Sequence, residues 1–436
     1  MGWSWCPRLD FFMKTKSVHI VALWLLHAAS LILASGGVAC ASADDGDDGE
    51  PWYSADWEAA DQEDDTDSGW SLYDSLGGGP IEYGGWLSAG QTANAHGNRT
   101  GNGNSPLSVN NVADGPVLSQ LWVYVEKPLD MESQCVDWGF RFDYVFGADG
   151  PDLQASGGQG WDFGWTSARD YGSAIPQVYV ELGVCDWVLR TGYLIAPLGY
   201  ESQESILNFF YSHSYTYSFG TPGTLTGAVL QKELTEDFEI LAGWSMSWDT
   251  WWANYVNGAM FLGGFEWNIS EQASLTYYLS AGDYGDGTAK NRAESNIGRL
   301  YAHSIVFSYD FSDRTNYVFE HILGSNTGIG TDNNQWYSVT QYLTYEINEC
   351  WSAGGRIEWF HDEDGARVDT NGSGEGSFYE ATLGLNWKPN ANIRLRPEAR
   401  WDWFSGEGLP FDSRDGGNSG TTSHQFTGAI DIVVTF

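Results

Sequence analysis

The last ten residues, Thr427 to Phe436, read TGAIDIVVTF. Ile430, Ile432, Val434 and Phe436 share one parity and are all apolar, whereas Thr427, Ala429, Asp431, Val433 and Thr435 are small or polar on balance. This period of two describes a β-strand with one greasy face. Its ending on a bare aromatic separates two architectures. A strand of a soluble sandwich normally runs on into a polar tail, whereas the last strand of an outer-membrane barrel closes the cylinder with its terminal aromatic at the lipid interface. An edge strand that stops at Phe is the alternative.

The preceding chain repeats the same grammar. Beyond Ile81 it divides into sixteen β-like segments, beginning near Ile81, Val117, Cys135, Pro176, Trp187, Thr224, Glu239, Gly258, Ala273, Leu300, Thr315, Trp336, Cys350, Ser377, Ile393 and Ser423. Gaps after even-numbered segments are short and those after odd-numbered ones are long, as expected of strands that cross a membrane with short periplasmic turns and long outer loops. The fifteenth segment sets Ile393, Leu395, Ala399, Trp401 and Trp403 against Arg394, Arg396, Glu398, Arg400 and Asp402. The third sets Phe140, Phe142, Tyr144 and Phe146 against Arg141 and Asp143, and the thirteenth Trp351, Ile357 and Trp359 against Arg356 and Glu358. A soluble core accommodates neither face around a whole sheet. The expected fold is therefore all-β, an up-and-down antiparallel transmembrane barrel of about sixteen strands. Pro397 implies a bulge or break in the fifteenth strand, the sixth reads as short, and the twelfth mixes its faces.

Composition agrees and sets the compartment. A net charge of -38 excludes nucleic acid as a partner. Abundant Trp, Tyr and Gly suit glycine-punctuated β structure with aromatic girdles. Lys14 and Lys16, the apolar run Val18 to Leu33 and the small residues Ala39 to Ala43 read as a signal peptide over 1–43, with Met13 an alternative start. Residues 44–80 read as an acidic disordered arm and 81–436 as the barrel, which places the protein in the cell outer membrane among its lipids.

Some stretches are more specific. Gly84-Gly85-Trp86-Leu87, Leu121-Trp122-Val123-Tyr124-Val125-Glu126-Lys127-Pro128-Leu129, Gly199-Tyr200-Glu201 and above all Asn208-Phe209-Phe210-Tyr211-Ser212-His213-Ser214-Tyr215 resemble the OmpL-like β-barrel porin-2 family. Its usual Thr-His-Thr-Gly run is replaced here by Thr224-Leu225-Thr226-Gly227, so nothing resting on that His carries over. The resemblance implies a pore without naming its solute. The ending on Phe436 resembles the C-terminal signal read by the barrel-assembly machinery.

The function read from these features is an outer-membrane porin for passive diffusion of small polar solutes or ions through a water-filled barrel narrowed by an inward-folded loop. Its candidate constriction pairs Glu201, Glu204 and Asn208 of the third outer loop with an inward ladder of Arg141, Arg190, Arg356, Arg394, Arg396 and Arg400. The alternative is that the arginines only neutralise inward Glu181, Glu358, Glu380 and Glu398 in structural salt bridges. Phe209, Phe210, Tyr211, Ser212 and His213 are expected to pack the folded-in loop. A surface adhesin or structural barrel is the second reading. An enzymatic barrel built on His213 lacks a nucleophile elbow, and neither metal ligands nor a cofactor motif are spaced for use. Cys135 and Cys185 fall at the inner rim on neighbouring strands and could bridge, leaving Cys350 free; three separate thiols are the alternative. Oligomeric state is open, a trimer included.

Overall fold

The structure, a computed structural model, describes residues 69–436 except 96–102, 108, 114, 132–134, 156–160, 163, 169, 253–257, 285–297, 328–333, 369–374 and 412–419. The signal peptide and the acidic arm as far as residue 68 lie outside the described residues. Within 69–80 the chain makes one helical turn, α1 (Leu72–Ser75), whose N-cap Ser71 side chain accepts from the Asp74 N–H.

Sixteen strands form the wall: β1 (Glu82–Asn94), β2 (Pro116–Lys127), β3 (Val136–Gly147), β4 (Val178–Val184), β5 (Trp187–Ile195), β6 (Thr224–Thr235), β7 (Phe238–Trp248), β8 (Ala259–Ser270), β9 (Ala273–Asp283), β10 (Arg299–Ser312), β11 (Thr315–Thr327), β12 (Asn334–Asn348), β13 (Trp351–Asp362), β14 (Gly376–Asn390), β15 (Ile393–Gly406) and β16 (His424–Thr435). Each pairs antiparallel with the next, and β1 with β16 closes the cylinder. Every strand begins within two residues of its expected start. Two short strands in the second long loop, Thr166–Ala168 and Tyr171–Ala174, had no sequence signal; the second of them extends the ladder of β3 beyond β4.

Amphipathicity is inverted relative to a soluble protein. Val180, Leu182, Ile357, Leu383 and Trp401 are exposed on the outward face, while Arg356, Arg396, Arg400 and Asp402 are buried on the inward one. Lipid is the solvent for the first set, and the alternation puts the second inside. Two local expectations change, and the break expected at Pro397 is found. β6 is not short but twelve residues long. β12 separates its faces, with Trp336, Ser338, Thr340 and Tyr342 all inward and buried. At Pro397 the ladder to β14 is interrupted between Glu398 and Leu395 while the pairing with β16 runs through, so the missing N–H costs one side only.

The lumen is not uniformly polar either. Inward Leu262, Leu300, Ile322 and Phe360 join Leu107, Leu198, Tyr215, Val368 and Phe411 from the loops in one buried cluster. Loop segments thus fold in and acquire an apolar core of their own, which strand alternation alone does not announce.

At the short-turn rim the structure joins Cys135 to Cys185, with Cα atoms 4.5 Å apart. The Cys185 N–H donates to the Cys135 carbonyl at 2.7 Å. Cys350, at the same rim, is buried and is also disulfide-bonded rather than free.

The seam depends on a glycine. Phe436 exchanges backbone hydrogen bonds with Gly85, N–H to O at 2.9 and 3.0 Å. A Cβ on Gly85 would stand 2.2 Å from the Trp122 carbonyl oxygen and 2.9 Å from the Phe436 ring. Gly85→Val is therefore expected to cost about 1–3 kcal/mol through overpacking, read as a lower temperature at which the folded gel band converts to the unfolded one.

Candidate functional site

Residues 196–223 leave β5, enter the barrel and return to β6. Apart from the 3-10 turn Ser205–Leu207 and the π-turn Thr216–Gly220, this third loop has no regular structure. Its backbone N–H and C=O groups nevertheless lie buried and need partners. The inward faces of β13, β14 and β15 supply many of them, and Gln120 on β2, Glu320 on β11 and Trp336 on β12 supply others.

Two wall carboxylates on β13 and β15 each accept a pair of loop N–H groups. Glu398 takes the N–H groups of Tyr211 at 2.9 Å and Ser212 at 3.2 Å. Glu358 takes those of Tyr215 at 2.7 Å and Thr216 at 2.6 Å, together with the Thr216 hydroxyl. Three arginines donate to loop carbonyls while held by wall acids. Arg396 reaches the oxygens of Ser205, Asn208 and Phe210 at 2.8, 2.7 and 3.2 Å, and is bidentate to Asp431. Arg356 reaches Ser212 O at 2.8 Å and pairs with Glu380 at 3.0 Å and Glu201 at 2.6 Å. Arg400 donates to His213 O and pairs with Asp402 at 2.7 Å. Asn386 adds a bond to Phe209 O at 3.1 Å.

Ring packing completes the seat. Inward Gly354 on β13 leaves no room for a side chain, because a Cβ there would lie 2.5 Å from the Phe209 ring. Phe210 lies under the Arg356 guanidinium, 5.1 Å from its centroid. Tyr211 bonds the Ser119 hydroxyl at 2.9 Å. The NFFYSHSY stretch therefore carries little that faces water.

The expected ladder divides into two groups. Arg356, Arg396 and Arg400 are about 1% exposed and saturated with partners, and Arg394 donates to Ile206 O. Glu201 and Glu204 do not face arginines across a gap but touch them, Glu204 meeting Arg141 at 3.0 Å. The Asn208 side chain turns back on its own loop, to Ser202 and Glu204. Burial alone would raise the Glu201 carboxyl, but Arg356 and His213 beside it hold it down at about 2. His213 bonds Glu201 through Nδ1 at 3.0 Å, while the Ser212 hydroxyl accepts from Arg356 and that of Ser214 from the Tyr217 N–H. Neither serine hydroxyl bonds the imidazole.

Opposite the clamped wall, a chamber of about 280 Å³ remains between the loop and β2 to β10. Arg141 and Arg190 line it, the first paired with Asp143, Glu126 and Glu204, the second with Glu181. Their guanidiniums lie 4.9 Å from the rings of Tyr124 and Tyr179. Leu198, Val229, Leu241, Leu262 and Val306 form its apolar side.

The second loop braces the third. Gln120 Nε2 donates to Asp149 at 3.0 Å and to Gln203 O at 2.9 Å. Burial pushes Asp149 up to about 8, with Asp152 beside it adding to the shift, and burial pushes Asp152 up to about 7. Sequence reasoning missed this brace, and the wall acids Asp431 and Asp402 as clamp partners, because the contacts join residues far apart in the chain. The only signal was inward parity.

A sequence model of the family described as "Putative beta-barrel porin-2, OmpL-like" matches residues 80–436. The fold is similar to that of the outer membrane channel DcaP of Acinetobacter baumannii (12% identity, 82% of this chain and 97% of that chain covered, TM-score 0.55). It is similar to the anion-selective porin of Comamonas acidovorans (10% identity, 82% and 99% covered, TM-score 0.55). The trimer form of OmpT of Vibrio cholerae also matches (9% identity, 82% and 99% covered, TM-score 0.50). At these identities the likeness is one of fold. No curated protein matches the chain.

Arg356→Ala is expected to destabilise the protein by about 3–5 kcal/mol, since it leaves Glu201 and Glu380 buried with their charge uncompensated; denaturant unfolding measures the loss and limited proteolysis locates it in residues 196–223. The raised Asp149 and Asp152 carboxyls mean that the folded state holds protons the unfolded chain releases. Their contribution is complete below about pH 4 and is lost as pH rises through about 7 and 8. Thermal conversion of the folded band should therefore fall in temperature over that window, with a smaller fall in Asp149→Asn.

Proposed function

The chain belongs to the OmpL-like β-barrel porin-2 family and is an outer-membrane porin channel, and on that premise we propose that small polar solutes and ions pass along the chamber between the third loop and β2 to β10. The observation that carries this reading is the division of the lumen. One side of the loop is fastened to β13, β14 and β15 by hydrogen bonds from the buried, ion-paired Arg356, Arg396 and Arg400 and by the Arg356–Glu201 pair, while the other side faces a cavity lined by ionisable side chains. Arg141 and Glu204 meet at its edge, so this pair sets the local field there, and Arg356, Arg396 and Arg400 act as structural supports. Family and fold indicate a channel rather than an enzyme. Exposed tryptophans such as Trp138, Trp244 and Trp401 stand on outward strand faces, where contact with lipid accounts for them without an adhesive role. Phe436, fixed at the closing seam, is the residue the assembly machinery would read. Association into trimers is compatible with this reading.

Purified protein in planar bilayers is expected to conduct potassium chloride. A folded, heat-modifiable preparation that carries no current would reject the proposal. Arg141→Gln is expected to move the reversal potential in a salt gradient toward greater cation preference, because it removes a lining positive charge and leaves Glu126, Asp143 and Glu204. No shift, or a shift toward anions, counts against the route.

A further inference from the structure

The outward face of the barrel carries one feature that contact with acyl chains does not explain. Where β8 to β11 reach the long-loop rim, a pocket of about 550 Å³ opens on the lipid side. Small residues make room for it: Ala259 on β8, Ala281 on β9 and Ser325 on β11. Ala281, Tyr301 and Ser325 lie in one cross-strand row, and Asp283, Arg299 and Thr327 in the row above. Tyr301 is exposed while its neighbours Leu300 and Ala302 are buried toward the lumen, so both rows face outward.

Strand geometry fixes its depth. Tyr309 lies across from Tyr317 in the aromatic girdle near the short turns, and ten positions separate it from Arg299 on β10. At about 3.4 Å per residue and a tilt of about 40°, the span is about 25 Å, the height of the apolar band. Arg299 therefore stands at headgroup level, with Tyr301 and Ser325 just beneath it. Among the described residues it is the only lysine or arginine on the outward face at the long-loop rim, in a chain whose net charge is -38. Asp283 is its ionic partner, 3.9 Å away with both side chains exposed. Such a pair contributes little and does not account for a guanidinium set over a pocket. The Tyr301 hydroxyl bonds His303 Nδ1 at 2.9 Å, so polar groups continue below the rim, where hydrocarbon alone would penalise them.

We propose that this pocket holds the headgroup of an anionic, phosphorylated lipid of the outer leaflet. Arg299 donates to the phosphate through its planar fork. Ser325, Thr327 and the Tyr301 hydroxyl add hydrogen bonds, and Asp283 accepts from headgroup hydroxyls. The acyl chains run down the apolar strip of Phe261, Leu279 and Ile305, which lie on the same face at and below the row of Ala281. Basic pockets at the membrane boundary suit such headgroups. Position selects the occupant, since a recess on this face is filled from the outer leaflet or by a second barrel, and a phosphate is the complement of Arg299. The site lies outside the lumen and stands apart from the solute route.

The test uses the full-length protein in detergent, titrated with phosphatidic acid, with diacylglycerol of the same chains and with inorganic phosphate, bound lipid being counted by native mass spectrometry. One phosphatidic acid per chain is expected, at a concentration about tenfold below that needed for diacylglycerol, and inorganic phosphate at equal concentration is expected not to displace it. Arg299→Gln should raise the concentration needed about tenfold, the size of one charged hydrogen bond. Ser325→Trp, which fills the recess and leaves the charge, should abolish the one-to-one species. Equal binding of diacylglycerol overturns the phosphate headgroup, displacement by inorganic phosphate overturns the lipid, and binding unchanged in both variants overturns the pocket. An oligomer that binds no lipid and that Ser325→Trp dissociates overturns the proposal in favour of a second barrel. The three-ligand comparison needs only the unmodified chain, so it decides the matter even where a variant fails to fold.

Discussion

Burying an irregular loop inside a barrel creates a problem that the rest of this molecule is arranged to solve. Regular strands satisfy their own backbone groups, but residues 196–223 have no ladder to join, and each orphaned N–H or C=O would cost about 1–3 kcal/mol. The solution is a wall that behaves like a partner strand made of side chains. Glu358 and Glu398 accept where a carbonyl would, and Arg356, Arg396 and Arg400 donate where amides would. Because each arginine is itself buried, each needs a carboxylate behind it. Asp431, Glu380 and Asp402 fill that place, so the charged ladder is a consequence of holding the loop.

This arrangement divides the lumen unequally. Guanidiniums and carboxylates on β13 to β15 are spent on the loop and have little left for a passing solute. The opposite wall, β2 to β10, keeps side chains of both kinds, charged and apolar, at the edge of a chamber. A constriction in which two charged walls face each other across water requires both walls to be open. Here the loop closes one wall.

Lipid outside and loops inside make two different demands on alternate residues of the same strand. β14 meets both: Leu383 is exposed outward, while Phe378, Glu380 and Asn386 are buried inward. A one-residue slip would exchange them, so register carries much of the specification of the fold. The close backbone approach at Gly85 and the ring seat at Gly354 are points where that register is checked by steric contact.

Strand number, strand starts, direction and outward faces were legible in the chain because each depends on a period of two and on turn spacing, which are properties of neighbouring residues. Pro397 announced a break for the same local reason, and Phe140 and Trp401 declared their lipid face. The sequence by itself determined that Arg356, Arg396 and Arg400 point inward, but not what they meet there. Whether an inward arginine lines water or holds a loop depends on residues 140 to 190 positions away, as with Arg356 and Ser212 or Arg396 and Asn208. Only the closed barrel brings those groups within 3 Å, since a loop's path into the lumen is fixed by the summed contacts of the whole wall and no segment of the chain encodes it alone.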